Sequence, residues 1–293
     1  MKSKIIELIL KKTSSNHNRL IGVEIEDIVY TNNGKRIPVN PSINYSASDL
    51  LNDLIKNKEH KNETYDYSIE PGGQIEWSST PYQSLHDIQN EYKRHLKTFR
   101  RLLIDNNLLA IDYTVEPLYA PSSIELIDIT KYLLMNNLFA KTGSHGNWMM
   151  KNTASIQINM DIFSKEDGEQ IAFLSDCISP FASLLFANSP FVEAHPIGEK
   201  NYRHIIWSNT DNSRCGYLFE HGIISNENLM EKFADIVLKA PLIFSITSSQ
   251  DINPYKGSIN KWLTTLYDDN ELNDDIINSA LHQIFTHVRF KQG

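Results

Sequence analysis

The segment Ile69-Glu70-Pro71-Gly72-Gly73-Gln74-Ile75-Glu76-Trp77-Ser78 places two carboxylates and an amide around a turn. Gly72 and Gly73 allow positive φ and close backbone approach, and the proline before them stiffens the start of the turn. Gln74 and Glu76 then project to one side of the following strand, because side chains alternate along a strand. The segment alone fits a solvated hairpin as well as a site for a metal and its phosphate ligand, so the rest of the chain must decide.

The composition is that of a globular protein with small-molecule partners. The chain has 293 residues, of which 41% are hydrophobic and 10% aromatic, and its formal charge is -8. One α+β domain spanning residues 1–293 is expected, because no linker-like segment divides the chain. The acidic balance disfavours nucleic acid and anionic membranes as partners. Whether the protein is a monomer or a homodimer is left open.

Two features predict a cytoplasmic protein. Cys177 and Cys215 are too few for a disulfide framework or a cysteine zinc site, so a reducing compartment is the default. Residues Met1–Asn16 mix lysine with isoleucine and leucine, which predicts a short amphipathic helix rather than a signal peptide or a membrane span.

Acidic and amide side chains lie on one face of two predicted strands. In Leu20–Tyr30, Glu24 and Glu26 face away from the apolar residues. In Met149–Asp161, the polar side chains alternate with Ile156, Ile158 and Met160, which predicts a half-buried strand. The polar face of this second strand is rich in oxygen ligands: Ser155, Gln157, Asn159 and Asp161. A plain exposed sheet face is the alternative for both strands.

The remaining periodic segments predict further helices and strands. Helices are expected over 48–56, from Thr80 onward, over 129–139, over 164–187 with a kink near Pro180, over 225–239 and over 276–284. Strands are expected over 108–117 and 242–247. Arg203–Gly216, with two arginines, an indole and an acid, has the composition of a functional loop. A surface Arg-Asp pair beside a packed tryptophan is the alternative for that loop.

Taken in chain order, these segments resemble the plant and proteobacterial type of glutamate-cysteine ligase from about residue 20 onward. The resemblance is carried by Gly22-Val23-Glu24-Ile25-Glu26, Glu70 to Glu76, Met149-Met150 with Thr153 to Asp161, Ala187 to Phe191, Arg203 to Trp207 and Asp211 to Arg214. It implies a glutamine-synthetase-like fold, in which a curved, mainly antiparallel sheet forms a funnel and helices cover its outer face. ATP and substrates enter the concave face in that family.

The resemblance also implies a reaction and a set of small-molecule partners. ATP phosphorylates the side-chain carboxylate of glutamate, and the amine of cysteine attacks the acyl phosphate to give γ-glutamylcysteine, the first step of glutathione synthesis. ATP, glutamate and cysteine are therefore the expected ligands. The sequence contains no Walker or Rossmann motif, so strand acids and a bound cation would have to hold the nucleotide.

Carried over by resemblance, the site roles fall into three groups. The expected metal ligands are Glu24, Glu26, Glu70, Glu76 and Gln157. Arg203 and Arg214 are the expected catalytic residues and bind phosphate or substrate carboxylate, while Gln74, Asn159, Lys131 and Trp207 are expected to contact substrate or ATP. If the glutamates converge, each close pair repels by about 4 kcal/mol at an effective dielectric near 20. Such a cluster needs cations, and Mg²⁺, with Mn²⁺ as an alternative, suits carboxylate and phosphate oxygens.

The chain departs from the family pattern at three places. The family usually has arginine where Asn152 stands and an Arg-Tyr pair where Lys131-Tyr132 stands. It also continues after the segment like Val288-Arg289-Phe290-Lys291 into a Leu-Glu-Met-Arg-Gly-Ala-Asp strand, which leaves three alternatives open: a C-terminally shortened relative, a piece of a longer chain, or a protein completed by something else. Two other functions stay open: a γ-glutamyl ligase for a different amine, and a non-catalytic relative that binds nucleotide or glutamate.

Overall fold

The computed structural model describes residues 1–13, 18–58, 64–247 and 249–292. The end of the predicted N-terminal helix, residues 14–16, and Gly293 lie outside that range. The helices are α1 (Lys2–Leu10), α2 (Ala47–Lys56), α3 (Leu85–Asp105), α4 (Thr130–Thr142), α5 (Gly146–Asn152), α6 (Lys165–Leu185), α7 (Tyr202–Ser208), α8 (Leu229–Lys239), α9 (Ile259–Asp268) and α10 (Asp274–Leu281). The strands are β1 (Ile21–Thr31), β2 (Asp66–Ile69), β3 (Ile75–Ser78), β4 (Leu108–Ile111), β5 (Ile156–Met160), β6 (Phe191–Val192), β7 (His195–Pro196), β8 (Cys215–Gly216), β9 (Phe244–Ile246), β10 (Ile252–Pro254) and β11 (Phe285–Thr286).

Strand β1 is the centre of an antiparallel sheet. Its first half pairs with β3 on one edge and with β5 on the other, since Ile25 has Trp77 and Ile156 as its two partners. Its second half pairs with β4, and β2 extends the sheet beyond β3. The α+β class and the antiparallel pairing are therefore confirmed.

One face of β2 and β3 is buried under helices. Tyr67, Ile75 and Trp77 belong to a core cluster with residues of α2 and α3. Leu50 and Leu54 of α2 are fully buried in it, because their spacing places both on one side of that helix. The opposite face of these strands is thereby left for polar side chains.

The prediction that β5 is half-buried is wrong for its apolar side. Ile156, Ile158 and Met160 are 68%, 65% and 41% exposed. The helices of the Trp77 cluster cover β2 and β3, whereas β5 lies at the other edge of β1. Alternation in the sequence identified the two faces of β5 correctly but did not identify which elements would cover them.

A second core joins α1, α8, α9 and α10. Phe233, Val237, Leu263 and Leu281 are fully buried in it, and Phe290 also packs there. The predicted N-terminal helix is confirmed, with Ile5 and Leu8 in this core. None of the helices in the described ranges is long and apolar enough to cross a membrane.

One predicted helix start is wrong, and one predicted helix with an internal proline is observed. Helix α3 begins at Leu85 with Ser84 as its N-cap rather than at Thr80, because Tyr82 exchanges backbone hydrogen bonds of 2.9 and 2.8 Å with Ile21. The chain thus continues along the sheet edge before it turns into the helix. The helix predicted over 164–187 is confirmed as α6, which contains Pro180, and the kink near Ser179 stays a prediction; the Ser179 hydroxyl donates to the carbonyl of Ser175 at 2.8 Å.

A histidine is sealed into the Trp77 cluster. The His95 ring stacks 5.4 Å from Trp77 and 5.3 Å from Phe99, and its Nδ1 shares a hydrogen bond of 3.0 Å with the Tyr67 hydroxyl. Its Nε2 has no partner among the described residues. Burial lowers the pKa of His95 to about 3, so the imidazole is neutral in the folded protein.

Lowering the pH through about 6.5 is expected to weaken folding through His95. The unfolded imidazole binds a proton at its ordinary pKa of about 6.5, whereas the folded one stays neutral down to about 3. The unfolded state binds more protons in that window, so the free energy of unfolding falls by up to about 1.4 kcal/mol per pH unit as pH drops. His95→Phe keeps the ring stack and should have a flatter pH profile. Urea midpoints between about pH 7 and pH 4.5 measure this, and equal slopes in both proteins would contradict it.

Candidate active site

The glycine turn is closed by its own backbone and docks on the end of α5. The Glu70 amide donates to the Gln74 carbonyl at 2.9 Å, and Gly73 has a φ of +81°. A Cβ on Gly72 would lie 2.3 Å from the Lys151 carbonyl oxygen, so only glycine fits there. The predicted dependence of this turn on glycine is confirmed.

Gln74 supports the turn and is not placed to contact a ligand, which corrects its predicted role. Its side chain is 1% exposed. Its Oε1 accepts from the Gly72 amide at 3.0 Å, and its Nε2 donates to the Thr153 carbonyl at 2.6 Å. Both ends of the amide are therefore used to join the turn to the start of β5.

Four glutamates meet on the polar face of the sheet; we call Glu24, Glu26, Glu70 and Glu76 the acid cluster. Glu26 lies directly opposite Glu76 in the register of β1 and β3. Glu24 lies two residues before Glu26 on the same face, and Glu70 follows β2 at the glycine turn. The convergence expected from the sequence is therefore observed. No group of three or more His, Cys, Asp or Glu in the described part of the chain is close enough to hold a metal ion by itself.

Burial and mutual repulsion raise the pKa of three of these acids. Burial raises the pKa of Glu26 well above its usual value, Glu70 adds to the rise and Arg203 opposes it. Burial, then the charge of Glu76, raise the pKa of Glu70 to about 7, while Lys131 opposes the rise. Burial also raises the pKa of Glu76, against a hydrogen bond from Ser68. The cationic side chains nearby therefore neutralise these three carboxylates only in part.

Glu24 differs from the other three because both of its oxygens have protein donors. Asn159 Nδ2 donates to its Oε1 at 2.8 Å, and Gln157 Nε2 donates to its Oε2 at 2.6 Å. Lys291 Nζ lies 3.1 Å from Oε1. The structure thus shows Glu24 and Gln157 as hydrogen-bonded partners, and their metal role stays a prediction.

Arg203 and Trp207 are brought to the acid cluster by a helix, not by the loop expected from composition. Both lie on α7, and the Arg203 guanidinium carbon is 5.3 Å from the Trp207 ring. Arg203 Nε donates to the Ala154 carbonyl at 3.0 Å, next to β5. Spacing of four residues on a helix places the two side chains on one face, so the indole supports the guanidinium beside Glu26.

Arg214 is a structural residue, which corrects its predicted catalytic role. It is fully buried, and its Nε pairs with Asp211 at 2.8 Å. Its two terminal nitrogens donate to the carbonyls of Gln283 and Pro241. Because all three guanidinium nitrogens have protein acceptors, this side chain ties three core segments together. The alternative of a local Arg-Asp pair was the correct interpretation, although the pair is buried rather than on the surface.

Two cations near the acid cluster received no role from the sequence. Lys291 pairs with Glu24, and Arg289 NH2 donates to Gln157 Oε1 at 3.4 Å. The signal was present in Val288-Arg289-Phe290-Lys291, where two cations are separated by one apolar residue. Lys131 of α4 was predicted to contact substrate or ATP. Its Nζ lies 4.4 Å from the centre of the Tyr132 ring, and its charge opposes the rise in the pKa of Glu70.

Comparison with protein families gives a match that covers nearly the whole chain. The model described as Glutamate-cysteine ligase family 2 (GCS2) matches residues 20–290. This range contains every predicted site residue and the whole acid cluster. The segments that carry the resemblance to that ligase type, from Gly22 to Arg214, lie within the match.

Curated relatives include plant enzymes of the same description. The chain is 33% identical over 177 residues to the chloroplastic glutamate-cysteine ligase A of Oryza sativa subsp. indica, covering 60% of this chain and 36% of the relative. It is 30% identical over 229 residues to the chloroplastic glutamate-cysteine ligase of Nicotiana tabacum, covering 77% of this chain and 43% of the relative. The match thus spans well under half the length of these relatives.

Among solved structures, the chain is similar to a glutamate-cysteine ligase from Francisella tularensis, crystallised in complex with AMP. The TM-score is 0.40 and the identity 18%, over 60% of this chain and 36% of that chain. At that score the likeness carries no argument about the site.

Proposed function

Since the chain belongs to glutamate-cysteine ligase family 2, we propose that it joins glutamate to cysteine at the expense of ATP and forms γ-glutamylcysteine through a γ-glutamyl phosphate. One observation carries the proposal: Glu26, Glu70 and Glu76 meet Arg203 on one face of an antiparallel sheet. The proposal includes a funnel-shaped sheet whose acid-bearing face is the concave side, one domain over residues 1–293, and a cytoplasmic location.

The acid cluster suits magnesium. The pKa values of Glu26, Glu70 and Glu76 are all raised, so the three carboxylates lack full neutralisation. Magnesium takes one or two protein carboxylates and fills the rest of its octahedron with phosphate oxygens and water, so a closed protein cage is not needed. One or two of these three glutamates would hold it together with phosphate oxygens and water, with Mn²⁺ as an alternative ion. When bound, the ion neutralises phosphate charge and orients ATP.

The side chains around the acid cluster supply positioning and charge. Phosphoryl transfer needs little proton chemistry from the protein, so orientation and charge neutralisation suffice. Arg203 is held by its Nε bond to Ala154 and by the Trp207 ring, which leaves its terminal nitrogens for a phosphate or a carboxylate. Lys131 contributes a point charge beside Glu70. No side chain is assigned as a general base.

The test is to incubate the purified chain with ATP, magnesium and glutamate, with and without cysteine, and to measure ADP and γ-glutamyl product. We expect ADP release that depends on cysteine. Glu199→Gln changes an exposed glutamate away from the acid cluster. It is the control for substitutions of the acid-cluster glutamates and should behave as wild type. ATP binding in calorimetry without ADP release for any amine would instead identify a nucleotide-binding relative.

A different amine acceptor is the second candidate, and Asn152 favours it. Its amide donates to the Tyr119 carbonyl at 2.8 Å, and the residue is fully buried. No positive charge is therefore supplied at a position where the family usually has arginine. A screen of amines in the same ADP assay separates the two candidates, because a faster acceptor than cysteine would identify the second.

A further inference from the structure

Residues 285–292, which we call the crossing segment, run from the second core to the acid cluster. The segment is fixed at its start by β11, which pairs in parallel with β8. Phe290 packs edge-on against Phe233 with ring centres 5.3 Å apart. Arg289 and Lys291 flank this buried anchor, so the core determines where both cations lie.

The Arg289 guanidinium is half-buried and is not saturated. NH1 donates to the Ile284 carbonyl at 2.7 Å and NH2 to Gln157 Oε1 at 3.4 Å. Within the described residues these are the acceptors for two of its five N–H groups. Arg214 uses three of its five N–H groups, one on each nitrogen, and it differs from Arg289 mainly in being fully buried and therefore closed to a ligand. Arg289 is thus held in place with donors left over for a ligand.

The charge of Arg289 acts directly on the acid cluster. Burial lowers the pKa of this guanidinium, while Glu24, then Glu70, oppose the fall. An incoming phosphate or carboxylate brings more negative charge to a place that already holds four carboxylates. A guanidinium at that point offers two parallel N–H donors to one oxyanion, which a lysine cannot do.

Lys291 links the crossing segment to β1. Its Nζ lies 3.1 Å from Glu24 Oε1, while Gln157 donates to the other oxygen of Glu24 at 2.6 Å. Gln157 is also the residue whose Oε1 accepts from Arg289. Glu24 and Gln157 therefore connect the two cations, and loss of the Lys291 pair would release the Arg289 end of this chain of contacts.

We propose that Arg289 is the second guanidinium of the active site, where it binds an oxyanion of a substrate, and that Lys291 is a positioning residue that holds it there through Glu24. This inference rests on the proposed function. The oxyanion is either a phosphate of ATP or a carboxylate of glutamate, which share the required geometry and which the test below separates. Arg289 thus takes the role that the sequence assigned to Arg214.

Arg289→Lys tests the binding role. We expect the KM for either ATP or glutamate to rise by about 10- to 100-fold, because charge-assisted hydrogen bonds are lost, while the other KM stays within about twofold. Calorimetric titration of ATP and of glutamate, measured separately without turnover, should show the same selective loss. Arg100→Lys, on an exposed arginine of α3, is the matched control.

The outcomes separate this inference from the proposed function. Wild-type turnover with unchanged affinity for both ligands in Arg289→Lys overturns the inference alone. If the wild type binds the ligands but releases no ADP, and Arg289→Lys selectively loses affinity for one of them, the proposed function is overturned and the binding role is supported. A wild type that binds neither ligand overturns both.

Lys291→Gln and Lys291→Arg test the positioning role. The glutamine variant should raise the same KM as Arg289→Lys by about 5- to 10-fold, and the arginine variant should return it to within about twofold, because it restores the pair with Glu24. Lys93→Gln, on an exposed lysine of α3, is the control. A lower unfolding midpoint with no selective change in KM, or no rescue by arginine, would show that Lys291 only supports the fold.

Discussion

Glu70→Gln is expected to stabilise the protein and to abolish its turnover. The half-buried carboxylate of Glu70 lies beside Glu76 and Glu24, and its pKa is raised to about 7. A raised pKa means that the charged form opposes folding above that pH, so removing the charge should add about 2 to 3 kcal/mol to the free energy of unfolding at about pH 8. The same change removes a proposed magnesium ligand and should lower kcat by about 1,000-fold.

Glu116→Gln is the control for Glu70→Gln, since Glu116 is a fully buried glutamate that has a cationic partner. Glu116 Oε2 pairs with Arg36 at 2.9 Å, and its Oε1 accepts from the Tyr30 hydroxyl and from the Leu118 amide. Loss of this charge leaves a buried guanidinium without its partner and should cost about 3 kcal/mol. Urea unfolding of metal-free protein measures the free energy of unfolding of both variants. If Glu70→Gln also lost stability, Glu70 would be a structural residue and not part of the proposed site.

Gly72→Ala is expected to cost about 5 kcal/mol or more, or to prevent folding. The added Cβ would lie 2.3 Å from the Lys151 carbonyl oxygen and 2.6 Å from the Lys151 Cα. Both are backbone atoms at the end of α5, so no side-chain rotation relieves the clash, and the cost should exceed the roughly 1 to 3 kcal/mol that overpacking usually carries. The measurement is the urea midpoint together with the yield of folded protein.

Gly34→Ala separates steric clash from backbone strain. Gly34 has a φ of +79°, and a Cβ there would meet nothing within 4 Å. The cost should be about 1 to 2 kcal/mol, from the left-handed conformation alone. Gly72 has no positive φ, so equal midpoints for the two variants would show that the turn can move away from α5.

Local patterns in the sequence were sufficient for the centre of the site. Alternation over Leu20–Tyr30 predicted β1 to within a residue of its observed ends. The same alternation placed Glu24 and Glu26 on one face, and the glycine turn brought Glu70 and Glu76 to them. These features depend on side-chain period and backbone sterics, which act over a few residues.

Features that depend on distant contacts were missed. Thr80 and Tyr82 follow the sheet edge because Ile21 and Glu91 bond to them, although their sequence predicts a helix start. Arg203 and Arg214 lie in one polar segment of the sequence, and its composition does not distinguish them. In the structure Arg203 faces the acid cluster, whereas Arg214 is enclosed by Asp211 and two carbonyls. Helices α5 and α7 were read as strand and loop, because each has only seven residues and little periodicity.

The central position of β1 has a consequence for the order of folding. Glu26 bonds to Ser155 across 129 positions of chain, Glu24 bonds to Asn159 across 135, and Lys291 reaches Glu24 across 267. Contacts of such long range form late, since loop closure comes before any gain from them. Glu70 and Glu76 share the β2–β3 hairpin and can meet early, whereas the side chains that bind Glu24 and Glu26 arrive only in the last steps, so these two carboxylates gain their partners after most of the fold has formed.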